Sequence, residues 1–476
     1  GPVGPSANYW NNTAPTSTEF TVGISNDVNT DGDTYIAYLF ANDEPVFGTN
    51  EDESIIKCGS FTTNASGTLD APVDLGFQPQ FILLKGGNGT DPGGNWFMFD
   101  TMRGLGGPES NSNTLKANSS QAEQNRSAGW LALTSTGFDC DVFALFSANK
   151  EIPYMAIRRP NKPPSAATDV FSATAYTGNQ TNRTVSNNLC DFAILSDLDA
   201  DALGWSTLAQ YVFTRLLGPD VNLATSTLAA ETPGWANTDK NGDYFQFDQN
   251  NGFFLTNLPN YVNNSGTDYV LYNFTRAPGF ADVVTYTGTG STLTVNHNLG
   301  VKPELIITRN RDTGSNQWGI DFVDADELGL FVSSAFGAGA LWTTTTSTSL
   351  TTPYGGSMVN GAGDNFVLYL FASFAGISKI GTYSGTGSDV DVNCGFSSGA
   401  RFILIKRTDS TGDWYVYDTS RGIVGGNDPY ILLNTDAAEV TNTDYIDPLA
   451  SGFTVTSSAP DALNADGGTY LFLAIA

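Results

Sequence analysis

Residues 402–422, FILIKRTDSTGDWYVYDTSRG, recur at residues 81–104 as FILLKGGNGTDPGGNWFMFDTMRG. Each copy reads as a strand rich in β-branched and aromatic residues, a turn of Gly, Asp, Asn and Thr, and a second, alternating strand. Only the turn between the two strands changes in length. The chain is therefore expected to use one β-hairpin repeatedly, and the repeat is expected to set its architecture.

A second recurring feature is an aromatic and aliphatic strand that closes each repeat. Such runs occur at residues 34–41, 142–147, 268–274, 365–372 and 469–476. Between them recur, in the same order, a Gly/Thr-rich strand, a Leu-Gly-x-x-Pro turn, the hairpin, and a Gly-Phe strand. The spacing of the closing strands is that of a small β-sandwich domain. This agreement in order and spacing predicts four complete modules and a leading half-module.

The predicted fold class is all-β, as tandem β-sandwich modules of jelly-roll or lectin-like type. The predicted segments are a collagen-like linker or cleavage remnant at 1–6, the C-terminal half of a sandwich at 7–45, and complete modules at 54–150, 168–277, 280–374 and 377–476. Half a sandwich would expose an apolar face and unpaired strand edges to water. We expect it to be completed either by upstream residues or by another chain.

The composition of the chain limits the classes of partner that it can bind. The chain of 476 residues has 21 Lys and Arg against 49 Asp and Glu, a formal net charge of −28. Such a charge repels nucleic acids and anionic membrane surfaces and favours solubility. No apolar run reaches the ~18 residues of a membrane span. We therefore expect neither a nucleic-acid partner nor membrane insertion.

Nucleophiles and bases are few. The cysteines do not occupy equivalent repeat positions and are interpreted mainly as buried free thiols, with a Cys58–Cys140 disulfide left open. The single histidine, His297, precedes a Leu-Gly-x-x-Pro turn, and the sequence indicates neither a nucleophile nor an orienting carboxylate for it. We expect His297 to pack in a turn or strand, and we expect no enzymatic activity. The other two cysteines are Cys190 and Cys394.

Two aspartate clusters are candidate calcium sites. Asp27, Asn29, Asp31 and Asp33, with Gly32, match the first half of a calcium loop, but Tyr38 stands where the bidentate glutamate is expected. The second cluster is Asp197, Asp199 and Asp201, in the variable hairpin loop of the second module. A plain hairpin turn is the alternative for the first cluster. The expected cofactor is therefore none, or calcium at these carboxylates.

The residues that recur in the hairpin have a structural and a functional interpretation. Asp100 with Arg103, and Asp418 with Arg421, are expected to form structural pairs in which aspartate caps backbone amides and arginine neutralises its charge. Ligand contact is the alternative. Recurrence of a tryptophan after the variable loop favours a core position over stacking on sugar rings. These tryptophans are Trp96, Trp205, Trp318 and Trp414.

Together these motifs resemble a repeat domain of unknown function from virion proteins of marine bacteriophages. The motifs are Leu-Gly-x-x-Pro, F-I-L-x-K, W-x-x-[FY]-D-[ST]-x-R-G, L-x-x-N, Gly-Phe and G-x-x-Y-x-x-x-x-F, which match best at residues 58–148 and 379–476. The resemblance implies a lectin-type β-sandwich of a tail fibre or related appendage, with no established activity, cofactor or binding residues. The second module has no clear Asp-x-x-Arg after Trp205, and the third has Asp321-Phe-Val-Asp324 without the arginine.

The functional expectation is a structural protein of the virion, such as a tail fibre or capsid fibre, located on an extracellular particle. Loops that vary on a constant scaffold suit recognition, so host-surface glycans are the expected ligands. Self-association, including a homotrimer suggested by GPVGPS, and other virion proteins are the expected partners. A bacterial surface adhesin or surface-layer protein is the main alternative, and a glycoside hydrolase is the third.

Overall fold

The structure is a computed structural model that describes residues 7–46, 53–86, 94–108, 112–126, 130–140, 146–185, 188–199, 210–218, 221–226, 232–233, 245–247, 252–255, 262–314, 318–323, 327–330 and 332–476. Four modules follow one another, each with a large antiparallel sheet and a three-stranded sheet. The prediction of an all-β fold of tandem sandwich modules is confirmed. No helix in these residues is long and apolar enough to cross a membrane.

Module 1 begins after a segment with two short helices. The helices are α1 (Ala7–Trp10) and α2 (Asn26–Asn29), and the strands are β1 (Ile56–Thr62), β2 (Val73–Asp74), β3 (Pro79–Lys85), β4 (Trp96–Asp100), β5 (Ser112–Lys116), β6 (Gln124–Arg126), β7 (Ala132–Leu133), β8 (Gly137–Asp139) and β9 (Glu151–Arg158). The large sheet has the order β1-β9-β3-β4-β5-β6, and the small sheet has the order β2-β8-β7.

Module 2 repeats this arrangement. Its strands are β10 (Phe171–Thr177), β11 (Arg183–Val185), β12 (Phe192–Asp197), β13 (Tyr211–Thr214), β14 (Val221–Ala224), β15 (Thr232–Pro233), β16 (Phe245–Gln246), β17 (Phe253–Leu255) and β18 (Asp268–Phe274). The orders are β10-β18-β12-β13-β14-β15 and β11-β17-β16. Short 3-10 helices lie at Thr101–Arg103, Ala167–Asp169 and Arg215–Leu217.

Modules 3 and 4 have the same topology. Module 3 contains β19 (Ala281–Thr287), β20 (Leu293–Asn296), β21 (Leu305–Asn310), β22 (Gly319–Phe322), β23 (Glu327–Leu330), β24 (Gly337–Ala338), β25 (Thr344–Thr345), β26 (Ser349–Thr352) and β27 (Asn365–Phe371). Module 4 contains β28 (Ser378–Ser384), β29 (Val390–Asn393), β30 (Phe402–Arg407), β31 (Trp414–Asp418), β32 (Ile431–Leu432), β33 (Ile446–Leu449), β34 (Gly452–Val455), α3 (Asp461–Asn464) and β35 (Thr469–Ile475). Their sheets run β19-β27-β21-β22-β23-β24 with β20-β26-β25, and β28-β35-β30-β31-β32 with β29-β34-β33.

The closing strand is central in every module, because it pairs with both the opening strand and the first hairpin strand. In module 4, Ile475 of β35 lies opposite both Ser378 and Phe402. In module 1 this position belongs to β9, where Ile157 lies opposite Ile56 and Phe81. The closing strand predicted at 142–147 is therefore wrong for module 1, which extends past residue 150. Residues 141–145 lie outside the described part of the chain, and Phe146 and Ser147 are not in a strand.

The leading half-module also differs from its prediction. Residues 34–41 carry the sequence of a closing strand but form no strand here, and the described part of 7–46 contains only the two short helices. A closing strand needs an opening strand and a hairpin strand on its two sides. Because neither flanks residues 34–41, their apolar side chains stay in water, with Ile36 81% and Leu39 73% exposed.

Modules 2, 3 and 4 bury both faces of their large sheets. We call the face toward the small sheet the inner face and the opposite face the outer face. Alternate residues of β30 separate accordingly: Ile403 and Ile405 join the core of module 4 itself, whereas Phe402 and Leu404 join a core cluster shared among modules. These strands therefore read as nearly continuous apolar runs.

The outer faces of modules 2, 3 and 4 pack against one another, and we call residues 168–476 the three-module unit. At its centre the Phe274 ring of module 2 lies 6.0 Å from Phe371 of module 3 and 6.1 Å from Phe402 of module 4. Modules 3 and 4 meet where the Phe336 ring lies 6.0 Å from Trp414. Each of the three modules thus contacts the other two.

Module 1 packs against modules 2 and 3 but leaves its own outer face largely uncovered. Backbone nitrogen of Gly107 donates to the Leu216 carbonyl of module 2 at 2.8 Å. A Cβ added to Gly107 would lie 2.0 Å from Thr285 Oγ1 of module 3, so only glycine fits this contact.

Replacing Phe402 with alanine should test the shared core. Its ring lies 5.2 Å from Phe171 and 5.1 Å from Tyr272, both in module 2. We expect a loss of about 3–5 kcal/mol in the free energy of unfolding, because the cavity would lie between modules that cannot close on it. Chemical denaturation measures this loss. Val424→Ala, at a side chain 51% exposed, is the control and should change stability by less than about 0.5 kcal/mol. An equally small change for Phe402→Ala would contradict the shared core.

Candidate functional site

The repeated Asp-Thr-x-Arg-Gly sequence forms a tight turn at the end of the second hairpin strand. In module 4, Asp418 Oδ1 accepts hydrogen bonds from the backbone nitrogens of Ser420 at 2.9 Å and Arg421 at 3.0 Å. Gly422 closes the turn with a φ of 123°, a backbone conformation that favours glycine. The equivalent Gly104 has a φ of 96°. The turn holds the arginine beside the aspartate.

In module 4 this turn carries a buried ion-pair cluster. Arg421 Nε lies 2.5 Å from Asp418 Oδ2, and its Nη1 lies 3.0 Å from Glu439 Oε1. The Tyr272 hydroxyl of module 2 donates to Asp418 Oδ2 at 2.8 Å and accepts from Arg421 Nη2 at 3.0 Å. The aspartate and arginine side chains are 0% and 3% exposed. The cluster is therefore the polar centre of the contact between modules 2 and 4.

Asp418 keeps its negative charge despite burial. Burial alone would raise the pKa of Asp418, but the Arg421 guanidinium and the hydrogen bonds from Ser420, Arg421 and Tyr272 outweigh it and hold that pKa below its usual value. Burial raises the pKa of Glu439, and Arg421 opposes that rise only in part. Burial also keeps the Tyr272 phenol protonated, because it raises its pKa well above the ordinary value. Tyr272 therefore serves as a hydrogen-bond donor.

Module 1 forms the same pair in a more open setting. Arg103 Nη2 lies 2.6 Å from Asp100 Oδ2, and its Nη1 lies 3.4 Å from Glu123 Oε2. The side chains of Asp100 and Arg103 are 22% and 20% exposed. Both predicted pairs are thus present as ion pairs that also cap the turn.

The strand register shows what replaces the aspartate in modules 2 and 3. Thr214 and Phe322 stand opposite the first hairpin residue, as Asp418 does in module 4. In module 3 the position therefore belongs to Phe322, one residue past Asp321, which the sequence had suggested. The contact itself recurs, because Thr214 Oγ1 of module 2 lies 2.6 Å from the Tyr369 hydroxyl on the closing strand of module 3.

Two of the recurring tryptophans, Trp318 and Trp414, lie between modules. Trp414 and Trp318 are 0% and 2% exposed. Trp318 Nε1 donates to the Ala224 carbonyl of module 2 at 2.8 Å. Trp96 of module 1 is 39% exposed, so the core interpretation is wrong for this residue, because no other module covers that face within the described residues. Trp205 lies outside the described residues.

The two aspartate clusters have hydrogen bonds of their own. Asp27 Oδ2 accepts from the Tyr9 hydroxyl at 2.7 Å, and Asn29 Nδ2 donates to the Gly23 carbonyl at 2.8 Å. Asp197 Oδ1 and Asp199 Oδ2 accept from the backbone nitrogens of Asp199 and Asp268. Asp201 lies outside the described part of the chain. Where residues are described, no three His, Cys, Asp or Glu side chains come together as metal ligands, so Asp31 and Asp33 do not join Asp27 in such a group. Calcium binding stays a prediction.

His297 is 4% exposed and belongs to its turn. Its Nδ1 accepts a hydrogen bond from the Leu299 backbone nitrogen at 3.2 Å, and burial lowers its pKa. The nearby Asp282 carboxylate pairs with Arg159 at 3.2 Å. His297 also lines an open cleft of about 600 Å³ between modules 1 and 3, to which Phe77, Arg158 and Thr348 contribute.

The cysteines are all free thiols in the structure, and three of them are buried. The exception is Cys58, which is partly exposed. The Cys58–Cys140 disulfide is therefore not formed. Burial raises the pKa of the Cys140, Cys190 and Cys394 thiols, which suits inert core residues.

Sequence analysis did not find a buried ionic network that joins modules 1, 2 and 3. Asp282 of module 3 pairs with Arg159 at 3.2 Å and with Arg276 at 3.7 Å. Arg276 and Arg215 each lie 3.6 Å from Asp191. A usable signal was present, since Arg159 lies one residue after the closing strand β9 and Arg276 lies two residues after the closing strand β18.

Asp428 is a second buried carboxylate in module 4. It is 0% exposed and accepts hydrogen bonds from the backbone nitrogens of Tyr445 at 3.0 Å and Ile446 at 2.9 Å. Burial raises its pKa to about 7, although these hydrogen bonds act in the opposite direction. Asp428 is therefore expected to gain a proton in the folded state well above the pH at which it does so when unfolded.

Matched substitutions at the two aspartates should separate buried from exposed pairing. We expect Asp418→Asn to lower the free energy of unfolding by about 3–5 kcal/mol, because Arg421 would remain buried with its main counter-charge removed. Asp100→Asn, at the equivalent position, should cost about 1 kcal/mol or less because water can solvate Arg103. Urea denaturation of both variants measures the difference. Equal costs would contradict the assignment of Asp418 to a sealed interface.

The raised pKa of Asp428 predicts a pH dependence of stability. Between pH ~4 and ~7 the folded state binds more protons than the unfolded state, so the contribution of this group to stability falls as pH rises, by on the order of 4 kcal/mol. In Asp428→Asn this slope should disappear. The difference in unfolding free energy between wild type and variant, measured from pH 4 to 8, isolates the effect. A difference that does not vary with pH would refute it.

Comparison with known proteins identifies the family of the chain. The profile of a domain of unknown function, DUF7483, matches residues 3–155 and 166–476. The second match covers modules 2 to 4, and the first covers the leading segment and most of module 1. No curated protein matches the sequence. The chain therefore belongs to the DUF7483 family.

Proposed function

We propose that this protein is a structural component of a phage virion, a tail fibre, capsid fibre or similar appendage, and that it binds host-surface glycans without cleaving them. Its site of action is then the extracellular particle, and its partners are other virion proteins and the host surface. The observation that carries the proposal is that the recurring acidic residues are used in packing.

If recurrence in the repeats is the criterion, the strongest candidates for catalytic residues are Asp418, Arg421 and Glu439. In module 4 Asp418 and Arg421 are sealed beneath Tyr272 of another module, where a substrate has no access, and Glu439 is held by Arg421 at the edge of this contact. In module 2 the position of Asp418 holds a threonine, and in module 3 it holds a phenylalanine. The position thus changes its residue from module to module but stays at a contact between modules. This supports a structural role for the position over an enzymatic one.

The surface offers a place for recognition outside these packed residues. The cleft between modules 1 and 3 is lined in part by polar residues that the repeats do not share, among them Ser54, Asn161 and Thr348. Hydroxyl and amide groups of this kind form hydrogen bonds with the hydroxyls of sugars. Clefts between modules are preferred positions for ligand sites. We therefore place glycan binding in this cleft.

Binding of the full chain to an array of bacterial surface polysaccharides tests this placement. We expect at least one polysaccharide to bind, and we expect Thr348→Arg to weaken that binding about tenfold or more, about 1.4 kcal/mol, because the side chain would fill the cleft. Val424→Arg adds the same charge at an exposed site in module 4 and should leave binding unchanged.

Failure to bind any polysaccharide, or depolymerisation of one, would contradict the proposed role. Immunogold labelling with antibodies against the full chain distinguishes the location. Labelling of appendages on purified virions supports the virion assignment. Labelling of uninfected bacterial envelopes would instead support a bacterial surface protein.

A further inference from the structure

The outer face of module 1 has the side chains of a module interface but no module on it in the described part of the chain. Its residues correspond through the strand register to those of module 4. Trp96 is 39% exposed where Trp414 is 0% exposed. Leu83 and Met98 are partly exposed where Leu404 and Val416 are 5% and 0% exposed. The difference arises because module 2 and module 3 cover module 4 on this side.

The polar centre of that interface is also present in module 1. Asp100, Arg103 and Glu123 make the same contacts with one another as Asp418, Arg421 and Glu439. In module 4 the cluster binds the Tyr272 hydroxyl of the closing strand β18. The Asp100 carboxylate has, among described residues, hydrogen bonds only from Arg103, and its side chain remains 22% exposed. An acceptor and a neighbouring guanidinium are thus placed for the same hydroxyl.

The segment before module 1 corresponds to the second half of module 3. Tyr38-Leu39-Phe40-Ala41 repeats Tyr369-Leu370-Phe371-Ala372. Trp10 precedes it as Trp342 precedes the end of module 3, yet Trp10 is 49% exposed and Trp342 is 2% exposed. Residues 7–158 therefore repeat the order of the last one and a half modules of the three-module unit. The described residues 7–46 contain no strands that would correspond to module 2 or to the opening half of module 3.

We propose that residues 7–158 are the closing part of a second three-module unit, and that the outer face of module 1 binds a module of this family that carries a tyrosine at the Tyr272 position. The hydroxyl of that tyrosine donates to Asp100 and accepts from Arg103. The same partner supplies the opening half of a sandwich, whose strands take residues 34–41 between them as a closing strand. One partner then buries both exposed apolar surfaces, namely the outer face of module 1 and residues 34–41.

Other occupants fit less well. The outer face of module 2 in a second copy of this chain is already buried against modules 3 and 4, so a second copy cannot offer it without opening its own three-module unit. Pairing of module 1 with itself brings Met155 to the position of Tyr272, because Met155 lies opposite Leu83 on the closing strand. A thioether cannot donate a hydrogen bond to Asp100. The contact therefore requires the tyrosine-bearing type of module.

The test is the full chain extended directly before Ala7 by a second copy of its own residues 166–336, which supply module 2 and the opening half of module 3. Hydrogen exchange followed by mass spectrometry reports on residues 34–41, and acrylamide quenching reports on tryptophan exposure. In the extended chain the amides of residues 34–41 should exchange at least ~100-fold more slowly than in the original chain, as expected for a central strand. The part of the quenching that disappears in the Trp96→Phe variant belongs to Trp96. In the extended chain we expect this part to decrease, because Trp96 becomes shielded.

Two variants of the extended chain serve as controls. Asp100→Asn, which is expected to cost little in the original chain, should now cost as much as Asp418→Asn, because its arginine would be sealed beneath the added module. Replacing the copied Tyr272 with phenylalanine should weaken protection at residues 34–41 by about tenfold. Val424→Arg should have no effect on either measurement.

The proposal is overturned if residues 34–41 exchange equally fast in both chains while circular dichroism shows the added strands. It is equally overturned if proteolysis removes the extension and leaves the original chain. The copied residues 166–336 are folded at their original position, so their digestion in the extension would mean that they do not pack on residues 7–158. Sedimentation of the original chain tests whether a second copy of the chain occupies the outer face of module 1. A dimer or trimer that shields Trp96 without any extension would assign the face to a second copy and reject the proposal.

Discussion

The structure depends on the burial of sheets that are apolar on both faces. Each large sheet can cover only its inner face with its own small sheet, and the outer faces of modules 2, 3 and 4 bring Phe274, Phe371 and Phe402 to the surface of the isolated module. Burying one such side chain contributes about 1.5–3 kcal/mol. Each of these three modules therefore completes the core of the other two, and the hydrophobic effect holds their outer faces together.

Polar contacts then fix how the modules face one another. The hydroxyl of Tyr272 on Asp418, and that of Tyr369 on Thr214, join a closing strand to the second hairpin strand of a neighbour. The network of Arg159, Asp282 and Arg276 joins module 1 to modules 2 and 3. Such buried groups contribute little net stability, but a misaligned pair would leave charges unpaired, so they select one register. The polar residues that a module carries therefore determine which module packs against it.

This arrangement changes how recurrence bears on function. A residue repeated in several modules is often taken as a candidate binding residue, and the tryptophan and the Asp-x-x-Arg pair fit that expectation by sequence. Their positions at module contacts explain the recurrence by assembly instead. The side chains that differ among modules, such as Thr348 at the cleft, are the ones to which we assign the proposed glycan recognition. The proposed division between scaffold and recognition surface follows from this contrast.

The sequence by itself determined the module and its topology. The hairpin, the turn capped by Asp418 and the closing strands are local patterns, and alternation of side chains along a strand suffices to read them. It misplaced the closing strand of module 1, because Val142-Phe143-Ala144-Leu145 and Ile152-Pro-Tyr-Met155 are both apolar and only pairing with β1 and β3 distinguishes them. Only the tertiary structure decided that Trp414 is buried and Trp96 exposed. The two residues have the same local sequence, and their difference arises from whether another module, distant along the chain, packs on them.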